Sequence, residues 1–285
     1  MRVAFLGPRG TYSEEAALRH ASHASQLVPF GTIAAVIAAV QDGAADQAVV
    51  PIENSLEGAV THTTDLLIHS TDLLIHSMDL RICREIVLPI HHCLLVQTGF
   101  ALPLVRAVYS HPQALAQCRG YIAEHLPEAE PVASLSTAGA VRDMGSSTRP
   151  AAAITSRRAA EIFGAKIFDH NIEDSANNKT RFVVLAPHDA EPTGRDKTSI
   201  CLDFAEDGPG ILHGALGELA SRGINMLKIE SRPDRRSLGR YIFLIDIEGH
   251  REDEVVREAL RGLRNRAALF RVLGSYPQPD TRESA

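Results

Sequence analysis

Hydroxyl, amide and carboxylate side chains stand at the ends of several apolar runs in this chain, where they can do chemistry. Glu53-Asn54-Ser55 closes the run Gln47-Ala48-Val49-Val50-Pro51-Ile52. In open α/β sheets, ligands bind at such strand ends. The Asn54 amide can orient a substrate. Ser55 can cap a following helix or donate to a carboxylate, and the free N–H groups of the turn favour an anion. Glu53 has three readings: a protonated acid, an anchor behind the site, or a first-turn carboxylate. Thr180 lies in Lys179-Thr180-Arg181-Phe182. A threonine hydroxyl is a poor acid, so its useful roles are a positioned donor to a departing group or one link in a proton relay. The alternative is a threonine that satisfies backbone groups beside a strand. Arg181 can grip a carboxylate with two parallel hydrogen bonds, or form a surface ion pair.

Ser110-His111-Pro112-Gln113 and Gln117 form a second group. Gln113 and Gln117 are four apart and share a helical face. His111 titrates near neutrality, but it reads as a structural residue before a helix-starting proline. Ser136-Thr137 opens another helix with two hydroxyl donors. His91-His92-Cys93 looks metal-like, yet neighbouring side chains on a strand point to opposite faces, so core packing is the expectation and no metal site is. Gly7-Pro8-Arg9-Gly10-Thr11 lacks the dinucleotide spacing GxGxxG, and the next strand lacks the ribose-binding acid. It reads as a carboxylate-binding turn with Thr11 as its side-chain donor.

These groups need elements to hold them. Val3 to Leu6, Leu27 to Phe30 and Gln47 to Ile52 read as strands alternating with two helices. The first helix starts at Ser13 and carries Glu14 and Glu15 in its first turn; the second is opened by Thr32. That order predicts a mostly parallel sheet. Leu88 to Gln97 reads as one strand, Ala107 to Tyr109 as another, and Pro112 to His125 as one helix. Ala138 to Met144 and Ser156 to Phe163 are helical, with Ala151 to Ile154 and Arg181 to Ala186 as strands. Pro187, Pro192 and Gly194 mark a linker. Beyond it, strands at 198–204, 224–230, 240–248 and 270–273 and helices at 210–222 and 252–263 follow the order βαββαβ, the ferredoxin-like unit. TDLLIHS occurs twice without a gap, at 64–70 and 71–77. Seven residues fall about 20° short of two helical turns, so the copy keeps one apolar face and reads as a neutral duplication.

At 285 residues, with 45% hydrophobic and 22% charged residues, the chain has room for two globular domains. Its net charge of −6 offers no general attraction to nucleic acid. The start MRVAFLGPRG has no long apolar segment or cleavage site, and no run is long enough to span a membrane. Cys83, Cys93, Cys118 and Cys201 are scattered, which fits reduced thiols and a cytoplasmic location.

Five segments together resemble the prephenate dehydratase family: FLGPRGTYSEEAA (5–17), VVPIENSLEGAV (49–60), YSHPQALAQC (109–118), NKTRFVVL (178–185) and, in an ACT domain, GINMLKIESRP (223–233). The resemblance runs from residue 3 to about residue 276 and keeps the family's order. It implies a two-lobed, periplasmic-binding-protein-like α/β catalytic domain at 1–187, with lobes at about 1–80 with 165–187 and at 85–160. A linker at 188–196, a ferredoxin-like ACT domain at 197–276 and a tail at 277–285 complete it. The family also includes fusions to a chorismate mutase; that activity is not expected here.

The implied activity is a carbon–oxygen lyase's: loss of the ring hydroxyl and of carbon dioxide from prephenate, giving phenylpyruvate, with no redox cofactor or metal. By the same resemblance Thr180 is the threonine of the family's TRF motif. Glu53, Asn54 and Gln117 join it as catalytic residues, and Thr11, Ser55, Ser110, Gln113, Ser136, Thr137, Arg181 and Phe182 bind substrate. The family often carries an acid where this chain has Leu135. The ACT resemblance implies L-phenylalanine as effector. Gly214-Ala215-Leu216-Gly217 imitates the family's effector turn, but the family's glycine follows a proline at the helix start. The site is therefore expected at Gly210, Ile211, Leu212 and His213, with Asn225, Met226 and a turn formed by Glu230, Ser231, Arg232 and Pro233. Such sites lie between subunits, so a homodimer or homotetramer is implied. The competing readings are a non-catalytic binding protein of the same fold and an arogenate dehydratase.

Overall fold

The computed structural model describes residues 1–69, 80–206, 208–234 and 239–279. They divide into two compact units. The first comprises 1–63 and 86–182; the second comprises 64–85 and the residues from 183 onward.

The first unit opens with β1 (Arg2–Leu6), α1 (Tyr12–His20), β2 (Gln26–Phe30), α2 (Ile33–Gln41), β3 (Gln47–Asn54), a short β4 (Gly58–Ala59) and the start of α3 (Thr61–His69). β1 lies between β2 and β3, parallel to both, so Val3 faces Leu27 on one side and Gln47 on the other. Val3, Ala4, Phe5, Val49 and Val50 are all fully buried. Such unbroken apolar runs belong to parallel strands covered on both faces. α1 begins at Tyr12 and is capped by Thr11, two residues earlier than Ser13 suggests; Ser13 is buried inside it. After β5 (Arg81–Pro89), whose first residues belong to the second unit, come β6 (Cys93–Val96), β7 (Ala107–Ser110), α4 (Pro112–Gln117), α5 (Arg119–His125), β8 (Glu130–Ala133), α6 (Thr137–Gly145), β9 (Ala151–Thr155), α7 (Arg157–Phe163), β10 (Ile167–His170) and β11 (Lys179–Ala186). The strand expected over 88–97 is two strands separated at Ile90-His91-His92, and the helix expected over 112–125 is two helices meeting at Cys118. β4, β8 and β10 have no counterpart in the sequence reading.

One sheet has the order β2-β1-β3-β11-β5 and the other β10-β6-β9-β7-β8. The second sheet is covered on both faces. Leu94, Val108 and Ala152 pack with Ala114, Cys118 and Ile122 of α4 and α5. Their neighbours Leu95, Ala107 and Ala153 pack with Ala138, Val141 and Ala159 of α6 and α7. That is the two-residue period of a pleated strand made visible.

The second unit contains β12 (Asp196–Asp203), α8 (Ile211–Ala220), β13 (Met226–Pro233), β14 (Tyr241–Glu248), α9 (Glu254–Arg266) and β15 (Leu269–Pro277). Its sheet has the antiparallel order β13-β14-β12-β15, so the expected βαββαβ order is present. On α9, Val256, Ala259, Leu260 and Leu263 form one stripe that packs on Ile200, Leu202, Ile245 and Ile247. Each fully buried Val or Leu there contributes about 1.5–3 kcal/mol. The opposite face carries polar contacts. Ser199 Oγ donates to Asp246 Oδ1 at 2.5 Å, and Lys197 Nζ pairs with buried Glu85 at 2.9 Å. The first TDLLIHS copy enters α3; the whole of the second, and the join between them, lies outside the described residues.

Candidate active site

The β3 end does not run into a helix. It turns sharply into β4, with Glu53 opposite Ala59 and Asn54 opposite Gly58, and α3 starts only at Thr61. Ser55 therefore caps no helix. Its backbone N–H donates to Lys179 O at 2.8 Å, its hydroxyl donates to Asn177 O at 3.0 Å and it accepts from Lys179 N at 2.9 Å, which fastens the turn to the residues entering β11. Nor does the turn leave free N–H groups for an anion at Leu56 and Glu57, because both bind Asn54 Oδ1, at 3.0 and 3.1 Å.

Those two bonds fix the Asn54 amide. Its Nδ2 donates to Asn178 Oδ1 at 2.8 Å and to Thr180 Oγ1 at 2.9 Å. Thr180 Oγ1 thus accepts, and its own proton remains to be donated. Glu53 and Arg181, the adjacent residues on the two strands, form an ion pair at 3.3 Å. Strand alternation puts that pair on the other side of the sheet from Asn54 and Thr180. Arg181 is accordingly engaged by Glu53, and Phe182 is a fully buried core residue.

Gln117 ends α4 and joins the same cluster from the second sheet. Its Oε1 accepts from Asn178 Nδ2 at 2.8 Å and lies 3.0 Å from His92 Nε2. Burial pushes the His92 imidazole below its ordinary pKa, so it is neutral near pH 7. Tyr12 OH donates to His91 O at 2.6 Å and stands 3.3 Å from His92 Nδ1. Glu173 grips both histidines, taking the His92 backbone N–H at 2.8 Å and lying 2.7 Å from His91 Nδ1. Among the described residues no three His, Cys, Asp or Glu side chains are grouped to hold a metal.

A separate cavity of about 820 Å³ opens at the strand ends of the first unit. Gly7, Pro8 and Phe30 line it from the first sheet, and His111, Leu135 and Ser136 from the second. Thr180, Asn54 and Gln117 do not line it. Leu135 is wholly exposed, but the cavity does hold a carboxylate, Asp143, which accepts from Ser134 Oγ at 2.5 Å. Three hydroxyls expected as substrate donors already have structural partners. Thr11 caps α1 and donates to Pro8 O at 2.9 Å, Ser136 caps α6 by accepting from Gly139 N at 2.9 Å, and Ser110, fully buried, donates to Ile154 O at 2.7 Å. His111 is the N-cap of α4, accepting from Gln113 N at 3.3 Å, and burial lowers its pKa. Gln113 and Thr137 are half-buried.

In the second unit Gly210 stands at the start of α8 with φ of 84° and supplies no side-chain cap, so the first N–H groups of that helix lack one. Ile211, Leu212 and Met226 are half-buried and His213 and Asn225 exposed. Glu230-Ser231-Arg232-Pro233 is not a turn; it is the end of β13. Ser231 pairs with Phe243, which packs on the helix-covered side, while Glu230 and Arg232 face the other side. There Arg232 pairs with Asp65 of α3 at 3.1 Å. The motif's side chains are thus divided between two faces.

Sequence reasoning missed His92, Asn178, Tyr12 and Asp143. Their only signal was position: Asn178 lies two residues before the TRF string and opens NKTRFVVL, and His91-His92 is an unusual polar interruption between two apolar strands.

The prephenate dehydratase family model matches residues 3–190, and the ACT domain model matches residues 199–265. A prephenate dehydratase of Mycolicibacterium vanbaalenii is 39% identical over 295 aligned residues, covering 98% of this chain and 91% of that protein. The structure of a prephenate dehydratase from Arthrobacter aurescens in complex with L-Phe superposes with a TM-score of 0.87 at 37% identity, covering 98% of this chain and 90% of that one. GqqA, described as a novel type of quorum quenching acylase, superposes at 0.84 with 36% identity, covering 99% of this chain and 100% of its own.

Proposed function

The chain belongs to the prephenate dehydratase family, and from that premise we propose that it converts prephenate to phenylpyruvate and is regulated by L-phenylalanine at its ACT domain. The observation that carries the catalytic reading is the 2.9 Å bond from Asn54 to Thr180, which leaves the threonine proton available to a ligand.

The reaction breaks two bonds. The C–C pair of the ring carboxylate moves into the ring as carbon dioxide leaves. The C–O pair leaves with the hydroxyl oxygen, which takes one proton and departs as water. Aromatisation drives both, so the enzyme has to orient the substrate and stabilise charge on the leaving oxygen. Thr180 donates to that oxygen. The net proton comes from solvent: Glu53 is paired with Arg181 on the other side of the sheet from Thr180, and Asp143 lines the separate cavity.

In the second unit, the uncapped start of α8 at Gly210 to His213 suits the carboxylate of an amino acid. A homo-oligomer is part of this reading. β13 is an edge strand, and Leu227 and Ile229 on it are 40% and 39% exposed, as a strand completed by a second copy would be. The four cysteines are free, in keeping with a cytoplasmic enzyme.

The test is to incubate purified protein with prephenate and, separately, with arogenate. Phenylpyruvate from prephenate is expected; its absence removes the reading, and faster turnover of arogenate redirects it. GqqA carries a different described activity on a similar fold, which is why the product itself should be followed. Calorimetry should show L-phenylalanine binding, and binding without any change in rate would exclude regulation through that site.

A further inference from the structure

The polarity of the buried amide cluster is settled from one end. Leu56 and Glu57 donate to Asn54 Oδ1, so the other end of that amide is its NH2. The NH2 meets Asn178 Oδ1, which turns the Asn178 NH2 to Gln117 Oε1. Gln117 Oε1 is therefore an acceptor, and His92 Nε2, 3.0 Å from the same oxygen, carries a proton. Gln117 Nε2 is what remains. It is buried and has no hydrogen-bond partner among the described residues. A buried donor left unpaired costs about 1–3 kcal/mol, so an acceptor that arrives with a ligand would be drawn to it.

One hydrogen bond to Oε1 would not hold that donor in place. The last torsion of a glutamine is broad and soft, and the amide plane could swing about a single contact. Asn178 and His92 reach the oxygen from different segments, and together they fix the plane. His92 is itself clamped: Glu173 takes its backbone N–H at 2.8 Å, Ile172 N donates to its carbonyl at 3.1 Å, and the Tyr12 ring packs edge-on at 6.0 Å between centroids. The imidazole is 2% exposed.

We propose that His92 is a positioning residue for the dehydratase reaction, holding Gln117 so that its NH2 is a fixed donor to a substrate oxygen. This deepens the proposed function and rests on it. The His91-His92-Cys93 string, metal-like in sequence and core-like in burial, thereby has a role of its own. The polar interruption between β5 and β6 delivers one imidazole N–H to one amide.

Four variants test it: His92→Phe, His92→Gln, Gln117→Leu and the double variant His92→Phe with Gln117→Leu. Each is assayed for phenylpyruvate formation across prephenate concentrations, with a thermal melt as the check on folding. His92→Phe should lower kcat/KM by about tenfold or more, the scale of one lost donor. His92→Gln, whose amide N–H reaches the place of Nε2, should recover to within about threefold of the unsubstituted chain. The double variant should be no worse than Gln117→Leu alone, because both remove the same interaction. Should His92→Phe fail to fold, His92→Asn takes its place: its shorter amide falls short of Gln117 and should show the same loss. A folded His92→Phe within about twofold of the unsubstituted chain, losses that multiply in the double variant, or no rescue by glutamine would each overturn the proposal. If the unsubstituted chain makes no phenylpyruvate, the dehydratase reading fails instead, and the two failures are told apart by that one control.

Discussion

Thr180 accepts a hydrogen bond from an amide that cannot reverse, and this makes its proton directional. Thr180→Ala removes the donor and should lower kcat by about a hundredfold or more, with the melting temperature nearly unchanged because the side chain is half-buried and replaced by a smaller one. Thr180→Ser keeps the hydroxyl and should retain much of the rate. Equal rates for the unsubstituted chain and Thr180→Ala would take the residue out of the reaction. Thr180, Asn54 and Gln117 could be picked from the sequence because each stands in a short string that resembles the family's. Asn178 stands in such a string too, NKTRFVVL, but its partners are not written there, and His92 stands in none. Asn178 meets Gln117 across 61 residues and Asn54 across 124, and nothing in either neighbourhood announces the meeting. The hydroxyls of Thr11, Ser110 and Ser136 show the opposite error: a residue type suited to binding is equally suited to capping a helix or satisfying a carbonyl, and here each has done so.

At the scale of elements, periodicity found the long strands and helices, and failed where one local contact decides. Pro112 to His125 reads as a continuous helix, yet the chain breaks at Cys118, and the break lets Gly120 N donate to Asp174 at 3.0 Å while Gln117 O accepts from Asp174 N at 2.7 Å. The tight turn after Asn54 was hidden because a serine followed by acids and apolar residues also describes a helix start. The loop after β1 is the clearest case of an element set by close approach. Gly10 has φ of +87°, and a Cβ there would stand 3.0 Å from Ala159 Cα and 3.3 Å from Ala138 Cβ. Its N–H also donates to buried Glu14 at 2.7 Å, and its carbonyl accepts from Ser156 Oγ at 2.7 Å. Gly10→Ala therefore meets backbone strain and a backbone neighbour together, and should cost about 1–3 kcal/mol. Denaturant titration would measure it as a lower midpoint at unchanged slope; an unchanged midpoint would mean that the loop can move aside, and its role in joining α1 to α6 and α7 would fall.

For the molecule as a whole, net charge says little about where protons matter. The formal charge is −6, but burial shifts two imidazoles, and those respond to pH near neutrality. Burial lowers the pKa of His92 and of His111 below the ordinary value of 6.5. At His92 the bond to Gln117 and the nearby Glu173 favour protonation and His91 opposes it, and burial outweighs them. The direction of the consequence follows from proton counting. Above pH 6.5 both states are neutral at these sites and the histidines contribute nothing to the pH dependence. As pH falls below 6.5 the unfolded chain binds protons that the folded chain refuses, so stability declines until the folded pKa values are reached. Below those values the loss is complete and constant. The melting temperature should therefore fall between pH 7.5 and pH 5.5, and His92→Gln, which cannot titrate, should fall less over the same interval. The comparison isolates one imidazole, since His111 remains in both proteins. Parallel curves would mean that His92 takes its proton without opposing the fold, and the neutral Nε2–H that holds Gln117 would then be one of two states rather than the one the fold requires.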